Sequence, residues 1–568
     1  MKNQEVSRLL YDIADLLEIR GEMVFKIRAF RRAAQSVEAL PMDVEDAWKQ
    51  GKLQEIPGVG RGIAEKIDEY LRKGKLKYLD ELKKGLPSGF AEMLAIEGIG
   101  PKKVKLFYDK LHIKNLEQLE KAARSGRLRK IPKLKEKTEL NILRSIEASK
   151  KRGGRMLLGN ALLLSDEIIN EMKKCAGVQR IDAAGSLRRM KETIGDIDIL
   201  VSSKNAKQAI DHFTTMKQVG RVIATGPTKA SINLWNGMQV DLRVLKENEY
   251  GSALLYFTGS KEHNIEMRTI AIAKGLKLSE YGLFRGSKSI AGRSEEEVYG
   301  KLGLAYIEPE MRESRGEIAA AKKKALPELI AYGDIKGDLH MHTKWSDGTG
   351  SIEEMASAAG KLGYEYVCIS DHIGKLAIAK ALDKKRVEQQ MKEIEKARKK
   401  SSIEILHGGE IDIGMKGKFD VDNALLKKLD IVIASLHSGL KAENNTERII
   451  SAMENPNIDI IGHPSGRLIN RRDGARLDIA KVVEKAKETE TVLEINSQPD
   501  RLDLNDVNTK AAVDAGCLLA INTDSHGTDQ LRHMRIGIAT ARRGWASKKQ
   551  IINSYSLDKM RKMLKRYL

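Results

Sequence analysis

Two aspartates separated by one residue begin an apolar run near position 200. Asp196 and Asp198 alternate with isoleucines, which predicts a strand that turns both carboxylates to one face and the isoleucines to the core. Asp241, in the apolar run Val240 to Val244, adds a third carboxylate. Three carboxylates fit two Mg²⁺ or Mn²⁺ ions, which suit the attacking and leaving oxygens of nucleotidyl transfer.

A short turn of small residues precedes this strand, in Ala184-Gly185-Ser186-Leu187-Arg188-Arg189. We expect Ser186, Arg189 and the backbone N–H of Gly195 to receive the charge of a triphosphate. An Asp-x-Asp pair alone is more often explained by surface carboxylates on an edge strand. The Gly-Ser turn favours the catalytic interpretation over that one.

Eight of the eleven histidines fall between positions 340 and 533, and most of them directly follow a predicted strand. With nearby carboxylates they give nine candidate metal ligands: His340, His342, Asp347, His372, Glu410, His437, His463, Asp524 and His526. A lone histidine at a strand end is more often an ordinary hydrogen-bonded side chain, but nine such groups in register favour a metal cluster. Imidazole with carboxylate suits Zn²⁺, Mn²⁺ or Fe²⁺, and His407 and His533 are expected to be bystanders.

Apolar runs alternate with polar, helix-like runs along the last third of the chain. The predicted strands are Tyr366 to Ile369, Ile403 to Leu406, Ile431 to Ala434, Ile458 to Ile461, Val492 to Ile495 and Leu518 to Ile521. Such alternation is typical of βα units, and this many units favours a barrel over an open sheet. A barrel gathers the carboxyl ends of its strands at one mouth, so we expect the nine ligands to converge there and to hold more than one ion.

The first 150 residues have apolar residues at helical spacing and two short glycine turns, at Ile56 to Gly60 and Ile96 to Gly100. Each turn precedes a basic helix start, where backbone N–H groups can bind a DNA phosphate. The glycines that would do so are Gly58, Gly60, Gly98 and Gly100. The alternative is a plain turn, but two copies in a basic region favour helix-hairpin-helix motifs.

Composition favours a nucleic acid partner. The formal net charge is +21 over 568 residues, and residues 101–155 alone carry eighteen Lys or Arg against six Asp or Glu. An anionic membrane surface is the second interpretation. Three widely spaced cysteines argue against a disulfide framework, and the sequence has neither a signal peptide nor an apolar run that could span a bilayer. We therefore expect a cytoplasmic monomer with no membrane segment.

We predict six regions. They are a helical domain with the first helix-hairpin-helix at 1–85, a helical DNA-binding domain with the second at 86–155, an α+β nucleotidyltransferase domain at 156–243, a smaller subdomain at 244–307, a linker at 308–336 and a metal-dependent phosphoesterase barrel at 337–568. The family resemblances given below imply that 1–85 is lyase-like, that 156–243 is a palm and that 244–307 is a thumb-type subdomain. The fold class is thus multidomain, with an all-α N-terminal module, an α+β centre and a C-terminal barrel.

The N-terminal region resembles the small lyase domain of DNA polymerase beta, from Phe25 to Ala34 and from Gly58 to Asp68. The resemblance implies that Lys66 attacks a deoxyribose-phosphate aldehyde to form a Schiff base. This chemistry needs an unprotonated amine, which the nearby cations Lys26, Arg31 and Arg61 would favour. The alternative is that Lys66 is a solvated lysine that only contacts phosphate, and Gly62 stands where the family often has another lysine.

The central region resembles the X family of DNA polymerases, through the aspartates above and Tyr256-Phe257-Thr258-Gly259-Ser260. The resemblance implies that Tyr256, Phe257 and the backbone of Gly259 select against a ribose 2′ hydroxyl. It also implies that Asn264 and Arg268 contact the nascent base pair and the template from the minor groove. Gln239 departs from the family, which often has an arginine there.

The histidine-rich region looks like the polymerase and histidinol phosphatase (PHP) family, a distorted seven-stranded (β/α)7 barrel. The resemblance implies a trinuclear site that hydrolyses a phosphoester, with up to three Zn²⁺, Mn²⁺ or Fe²⁺ ions. The implied ligand groups are His340, His342, Glu410 and Asp524 for one ion, Glu410, His437 and His463 for a second, and Asp347, His372 and His526 for a third.

Together these matches resemble the prokaryotic family X DNA polymerases that carry a PHP domain. The resemblance implies filling of short gaps in gapped or nicked duplex DNA with dNTPs during base excision repair. It also implies a Mn²⁺-favouring 3′-5′ exonuclease, with 3′-phosphatase or abasic-site (AP) endonuclease activity as further candidates. The alternatives are a nuclease whose polymerase half is a DNA clamp, a hydrolase of small phosphate esters, and a noncatalytic protein that tethers DNA ends.

Overall fold

The computed structural model describes the chain except residues 1, 39, 41–43, 84–92, 94–98, 132–133, 135–137, 141, 144–145, 147–154, 376–378 and 568. Its contacts divide it into two compact units, Met1–Gly154 and Arg155–Leu568. In the described part of the chain, every helix is too short or too polar to cross a lipid bilayer.

The first unit is helical where it is described. Its helices are Lys2–Arg20, Val24–Glu38, Val44–Lys49, Arg61–Lys73, Lys77–Lys83, Pro101–Leu111 and Leu116–Arg124, with short 3₁₀ turns at Leu53–Glu55 and Leu128–Lys130. The apolar positions at helical spacing, such as Leu10, Ile13 and Leu17, are fully buried in one core. Gly60 and Gly100 are the N-cap residues of the helices that begin at Arg61 and Pro101. The last glycine of each predicted turn therefore lies at a helix start, whereas Ile96 to Gly98 of the second turn lie outside the described residues.

The second unit begins with a five-stranded mixed sheet, the palm, in the order β2-β4-β7-β6-β5. These strands are β2 (Val178–Ala183), β4 (Asp196–Ser203), β5 (Val219–Thr225), β6 (Lys229–Leu234) and β7 (Gln239–Leu245). The short strands β1 (Met156–Leu157) and β3 (Thr193–Ile194) pair separately, and the palm helices are Leu158–Met172, Gly185–Arg188 and Ala206–Thr215. The alternation in β4 buries Ile197 and Ile199 and leaves Asp196 and Asp198 on the opposite face.

The thumb follows, with helices Tyr250–Thr258, Lys261–Ala273 and Glu295–Lys301 around a three-stranded sheet of β8 (Lys277–Ser279), β9 (Gly282–Arg285) and β10 (Lys288–Ala291). Residues 308–336, which the sequence assigns to a linker, contain the 3₁₀ turn Pro309–Met311 and the helix Glu317–Lys322. Met311, Ile318 and Ala321 are buried in the thumb core. The connection is therefore packed, because its apolar residues complete that core.

The last region is a parallel sheet in the order β11-β12-β14-β15-β16-β17-β18, with β13 paired to β14. The strands are β11 (Gly337–Met341), β12 (Tyr366–Ile369), β13 (His372–Ile373), β14 (Glu404–Asp412), β15 (Ile431–Ser435), β16 (Ile460–Gly462), β17 (Val492–Asn496) and β18 (Leu519–Asn522). A parallel bridge between Met341 and Ser525 brings the two ends of the sheet together. The predicted seven-stranded barrel is thus confirmed, and so is the fold class.

Helices surround the barrel strands and cover one end. They are Ile352–Lys361, Lys384–Arg398, Asn423–Leu426, Asn445–Met453, Ile479–Glu488, Asp506–Ala515, Met534–Arg543 and Leu557–Arg561, with 3₁₀ turns at Thr528–His533, Lys548–Gln550, Ile552–Ser554 and Lys565–Tyr567. Met560 and Leu564 pack with inward-facing strand residues such as Leu339 and Tyr366. The C-terminal segment therefore closes the end of the barrel opposite the histidines, because the histidines follow the carboxyl ends of the strands.

The palm and the barrel share a hydrophobic core. Ile469, Leu502 and Ile536 come from the barrel region but pack in the palm cluster, with residues such as Leu158. Polar contacts join the same surfaces: Arg467 Nη2 donates to Glu192 Oε2 at 2.7 Å, and Asn470 Nδ2 donates to the carbonyl oxygen of Arg155 at 2.8 Å. The two regions form one packed body because these apolar side chains are buried by their contact.

Candidate active sites

The palm aspartates lie on two adjacent parallel strands. The register pairs Asp198 of β4 with Asp241 of β7, and Asp196 lies on the same face one pleat away. Burial and the negative charges of Asp196 and Asp241 raise the pKa of Asp198 to about 7. Mutual repulsion of this kind is relieved by a bound cation, so the carboxylates fit divalent metal ions.

Two polar side chains orient Asp241. Ser231 of the neighbouring strand donates its hydroxyl to Oδ1, and Gln239 Nε2 donates to Oδ2 at 3.0 Å. Gln239 occupies the position where the family often has arginine, and here it holds the carboxylate by a neutral hydrogen bond. Asp241 therefore presents a fixed carboxylate on the face that it shares with Asp198.

The turn before β4 lies directly against Asp198. Gly185 has a φ of +61°, and a Cβ there would lie 2.4 Å from Asp198 Oδ2, so a side chain at this position would have to displace that carboxylate. Ser186 is half-buried just after it, at the start of the helix Gly185–Arg188. Gly195 is closely covered by Arg155, whose Nη1 would lie 2.8 Å from an added Cβ. Sequence reasoning missed Arg155, which stands forty residues before Gly195 in an irregular basic stretch.

Arg189 is held by the thumb. Its Nε donates to Glu313 Oε1 at 3.0 Å, and its Nη1 donates to the carbonyl oxygen of Thr258. Arg188 donates to Thr258 Oγ1 at 2.7 Å and pairs with Glu295 at 2.7 Å. The palm arginines thus fix the Thr258-Gly259-Ser260 turn, in which the Gly259–Ser260 peptide bond is cis.

The predicted sugar-contacting residues lie beside this turn. Tyr256 and Phe257 are half-buried and meet edge to face, with ring centroids 5.1 Å apart. The Arg243 guanidinium lies 4.3 Å from the Phe257 ring centroid, which ties this residue to the strand of Asp241. Asn264 Nδ2 donates to the Tyr256 carbonyl oxygen at 2.6 Å, and the exposed Arg268 donates to the Asn264 carbonyl oxygen at 3.3 Å.

The nine predicted barrel ligands converge at the carboxyl ends of the strands. Glu410 lies at their centre: its Oε2 is 3.0 Å from His372 Nδ1 and 3.4 Å from His340 Nε2, and its Oε1 is 3.2 Å from His437 Nε2 and 3.0 Å from His463 Nε2. Three groups have ligand atoms within 4.8 Å of one another: His342, Asp347, His372 and His526; His340, His342 and Asp524; His372, Glu410 and His437.

This grouping differs in detail from the one that the family resemblance implies. His342 joins Asp347, His372 and His526, and His372 also approaches Glu410 and His437. The reason is that His342 and His372 stack face to face, with ring centroids 4.5 Å apart. Each of these two imidazoles therefore belongs to two of the candidate metal groups.

The chemistry of the site fits cations. Glu410 Oε1 is buried and accepts no hydrogen bond, although Nε2 atoms of two imidazoles lie within 3.2 Å of it. Nitrogen and oxygen atoms that converge without hydrogen-bond geometry are typical of metal ligands. In the part of the chain that the structure describes, all such groups of three or more belong to the barrel. Ions at the palm aspartates would therefore need further ligands, such as substrate phosphates.

Sequence reasoning missed the carboxylates that orient these ligands. Glu494 of β17 accepts from His340 Nδ1 at 2.7 Å and from the backbone N–H of His463 at 2.7 Å. Asp371 accepts from the backbone N–H of Thr343 at 2.7 Å and from the Ser346 hydroxyl, which fixes the turn that carries Asp347. The sequence did contain a signal for Glu494, because its carboxylate interrupts the apolar run Val492 to Ile495. A buried charge needs partners, so this residue could have been predicted to bind other polar groups of the site.

The N-terminal candidates lie in the first unit. Lys66 Nζ donates to the Gly62 carbonyl oxygen at 3.0 Å and lies 4.6 Å from the Tyr78 ring centroid. Arg31 pairs with Asp15 and Glu18, and Arg61 pairs with Glu65, so these two cations are compensated. Gly58 has a φ of +83°, and Gly60 and Gly100 have open space at their Cα atoms, whereas Gly98 lies outside the described residues.

Known domain families match consecutive parts of the chain. A helix-hairpin-helix domain matches residues 1–76 and a SAM-like helix-hairpin-helix tandem matches 90–148. The DNA polymerase beta palm matches 160–235, the DNA polymerase beta thumb 253–313 and the PHP domain 338–498.

Individual relatives match the whole chain or parts of it. The DNA polymerase/3′-5′ exonuclease PolX of Bacillus subtilis is 37% identical over 573 residues, which cover 100% of both chains. DNA polymerase lambda of Rattus norvegicus is 27% identical over 55% of this chain and 56% of its own. A protein of Thermoanaerobacter sp. (strain X514) named as a probable phosphatase is 34% identical over 33% of this chain and 78% of its own. With the palm carboxylates and the barrel ligands in place, these matches show that the chain belongs to the family X DNA polymerases that carry a C-terminal PHP domain.

Proposed function

We propose that the protein fills short gaps in duplex DNA during base excision repair and that its barrel removes nucleotides from 3′ ends. The observation that carries the polymerase part is the register of Asp198 opposite Asp241, directly beneath the Gly185-Ser186 turn. Gapped or nicked DNA and dNTPs are the substrates. The protein acts as a monomer in the cytoplasm.

In the palm, Asp196, Asp198 and Asp241 would hold Mg²⁺ or Mn²⁺, and such ions would supply charge stabilisation for the attacking 3′ oxygen and the leaving pyrophosphate. Ser186, Arg189 and the N–H of Gly195 bind the triphosphate, and Arg155 adds a positive charge next to Gly195. These groups bind the charged triphosphate, so their contribution is to the affinity for the nucleotide.

The thumb provides selection. Tyr256 and Phe257, held by Asn264 and Arg243, present a rigid surface to the deoxyribose. Asn264 and Arg268 reach the minor groove of the nascent pair. The helix starts at Gly60 and Gly100 bind backbone phosphates without reading the bases, and Gly58 gives the first turn its left-handed geometry.

In the barrel, the nine candidate ligands would hold Zn²⁺, Mn²⁺ or Fe²⁺, and such ions would supply water activation for phosphoester hydrolysis. Glu494 holds His340 and His463 in place by hydrogen bonds, and Asp412 accepts a hydrogen bond from the backbone N–H of His437 at 2.9 Å. The arrangement favours 3′-5′ exonuclease activity, with 3′-phosphatase or AP endonuclease activity as further reactions of the same centre.

The first test is extension and shortening of a primer in a one-nucleotide gap, with Mg²⁺ or Mn²⁺ and dNTPs. We expect Asp196→Ala/Asp198→Ala to lose extension and keep shortening, and His340→Ala/His342→Ala to do the reverse. No extension by the unaltered protein under either metal would leave a nuclease whose polymerase half is a DNA clamp.

Lys66 stays a prediction as a lyase nucleophile. Its Nζ is held beside the start of the phosphate-binding helix Arg61–Lys73, which fits either Schiff-base chemistry or simple phosphate contact. Borohydride trapping on DNA with a 5′ deoxyribose phosphate separates the two. A covalent adduct that Lys66→Ala abolishes supports the lyase, and no adduct from the unaltered protein assigns Lys66 to phosphate binding.

A further inference from the structure

The barrel helix Met534–Arg543 ends in two buried arginines that reach different parts of the polymerase. The Arg543 side chain is 4% exposed, and its guanidinium meets three partners. It donates to the backbone carbonyl oxygen of Arg189, to Glu313 Oε1 at 3.0 Å and to Asp506 Oδ2. One barrel residue thus contacts the palm, the thumb and a second barrel helix.

Glu313 transmits this contact to Arg189. Its carboxylate, 11% exposed, is shared by Arg543, Arg189 and, at 3.8 Å, Lys191. Despite burial, Arg543 and these other cations hold the pKa of Glu313 far below its usual range, so Glu313 stays ionised. Arg189 donates a hydrogen bond from Nε to Glu313 and another from Nη1 to the Thr258 carbonyl oxygen. Its remaining nitrogen, Nη2, makes no hydrogen bond with the described residues.

The cluster carries more positive than negative charge. Arg189, Lys191, Arg315 and Arg543 face Glu313 and Asp506, with Arg315 Nη2 at 3.1 Å from Asp506 Oδ2. Nε and Nη1 of Arg315 are buried and make no hydrogen bond. The cluster adjoins the Gly185-Ser186 turn, because the backbone N–H groups of Arg189 and Lys191 donate to the carbonyl oxygens of Gly185 and Ser186 at 3.3 and 3.0 Å.

We propose that Arg543 is a positioning residue of the polymerase centre: through Glu313 and the Arg189 carbonyl, the barrel sets the Arg189 guanidinium for the dNTP triphosphate. This inference rests on the proposed role of Arg189. Without Arg543, Glu313 would lose one of its three ion-pair partners among the described residues, and the Arg189 carbonyl oxygen would lose the hydrogen bond that Arg543 donates. Arg189 would then be drawn toward Glu313 and away from the phosphate.

The neighbouring Arg542 offers a matched control. It is also buried and also joins the barrel to the connecting segment, through Glu310 Oε1 at 2.8 Å and the Ile330 carbonyl oxygen at 3.0 Å. None of its described contacts involves Arg189 or Glu313. Arg542→Met therefore reports the loss of a buried interdomain arginine without a change at the triphosphate turn.

The experiment compares full-length R543M and R542M in steady-state filling of a one-nucleotide gap. We expect R543M to raise KM for dNTP by about tenfold, the effect of one charge-assisted hydrogen bond, with kcat and KM for gapped DNA within about twofold. Its 3′-5′ exonuclease rate should not change. R542M should leave KM for dNTP unchanged even if its melting temperature falls equally.

Equal KM for dNTP in R543M, R542M and the unaltered protein overturns the proposal while gap filling itself stands. If R543M does not fold, Asp506→Asn loosens the Arg543 guanidinium without removing it. The same rise of KM at smaller size is then expected, and an unchanged KM overturns the proposal. Absence of extension by the unaltered protein would instead remove the proposed polymerase function.

Discussion

At the scale of single residues, Gly185 is the residue on which the polymerase centre depends most sharply. It needs a left-handed φ of +61°, and a Cβ there would strike Asp198 Oδ2 at 2.4 Å. We expect Gly185→Ala to displace that carboxylate and to lower kcat for gap filling roughly a hundredfold, because misplacement by about 1 Å has effects of that size. Gap filling and exonuclease rates of the purified variant check this, and the exonuclease rate should not change.

Gly286→Ala is the control for backbone strain. Gly286 has a similar φ of +59° in the β9–β10 hairpin but open space around its Cα atom. Each variant should lose about 1–2 kcal/mol of unfolding free energy to left-handed strain. If the two variants lose equal polymerase activity, the close approach to Asp198 has no catalytic consequence.

Residue types and spacing singled out the palm aspartates and the nine candidate barrel ligands, because most of them lie on or next to a strand with a clear apolar pattern. Their catalytic roles stay predictions. Arg543, Arg155 and Asp371 could not be predicted, because they act on partners distant in sequence and belong to no local pattern. Glu494 could have been found, since its carboxylate interrupts the apolar strand Val492–Asn496.

At the scale of elements, the break between β12 and β13 positions a turn of the metal site. Asp371 lies in this break and accepts hydrogen bonds from Thr343, Ser346 and Gln390, the last on the helix Lys384–Arg398. In Asp371→Asn, an amide NH₂ group would replace one carboxylate oxygen and could not accept the hydrogen bonds that Thr343, Ser346 and Gln390 donate. We expect the turn that carries Asp347 to shift. The affinity for metal or the exonuclease rate should then fall about 10–100-fold.

Metal analysis of the purified protein and exonuclease assays with Mn²⁺ test this expectation. Asp383→Ala is the control, since Asp383 caps the same helix through the Arg386 backbone N–H and its loss should cost about 1 kcal/mol without touching the turn. Full metal content and a normal exonuclease rate in Asp371→Asn would contradict the role given to Asp371.

The sequence predicted most barrel strands within a few residues, yet it ended one of them too early. The apolar run stops at Leu406, and Gly408-Gly409 reads as a turn, but β14 continues to Asp412. A Cβ at Gly408 would lie 2.4 Å from Cys368 Sγ, and one at Gly409 would lie 2.3 Å from Ile373 Cδ1. These glycines allow neighbouring side chains to approach the strand, a requirement that no local pattern expresses.

At the scale of the molecule, the two compact units should unfold separately, whereas palm, thumb and barrel should unfold together. Ile536 of the barrel is buried in the palm core, and Ile67 is buried in the core of the first unit. We expect Ile536→Ala to lower the unfolding free energy of residues 155–568 by about 2–5 kcal/mol and to leave the other transition unchanged. Ile67→Ala should do the reverse.

Differential scanning calorimetry with an assay of both activities during heating checks this. If Ile536→Ala lowers the melting temperature of the barrel but not that of the palm, the shared core does not couple the unfolding of the two regions. The sequence could predict a barrel and a palm, but it could not predict this shared core. Ile469, Leu502 and Ile536 look like ordinary apolar residues of their own region.

The burial of barrel side chains in the palm bears on how the gene can change. A mutation that truncates the chain after the thumb would uncover the apolar palm surface beneath Ile469, Leu502 and Ile536 and would remove a partner of Glu313. Its product would be an unstable protein rather than a polymerase freed of its nuclease. Synthesis and removal of nucleotides would therefore be inherited together, and loss of either by natural variation should arise through point changes in a catalytic centre rather than through deletion of a domain.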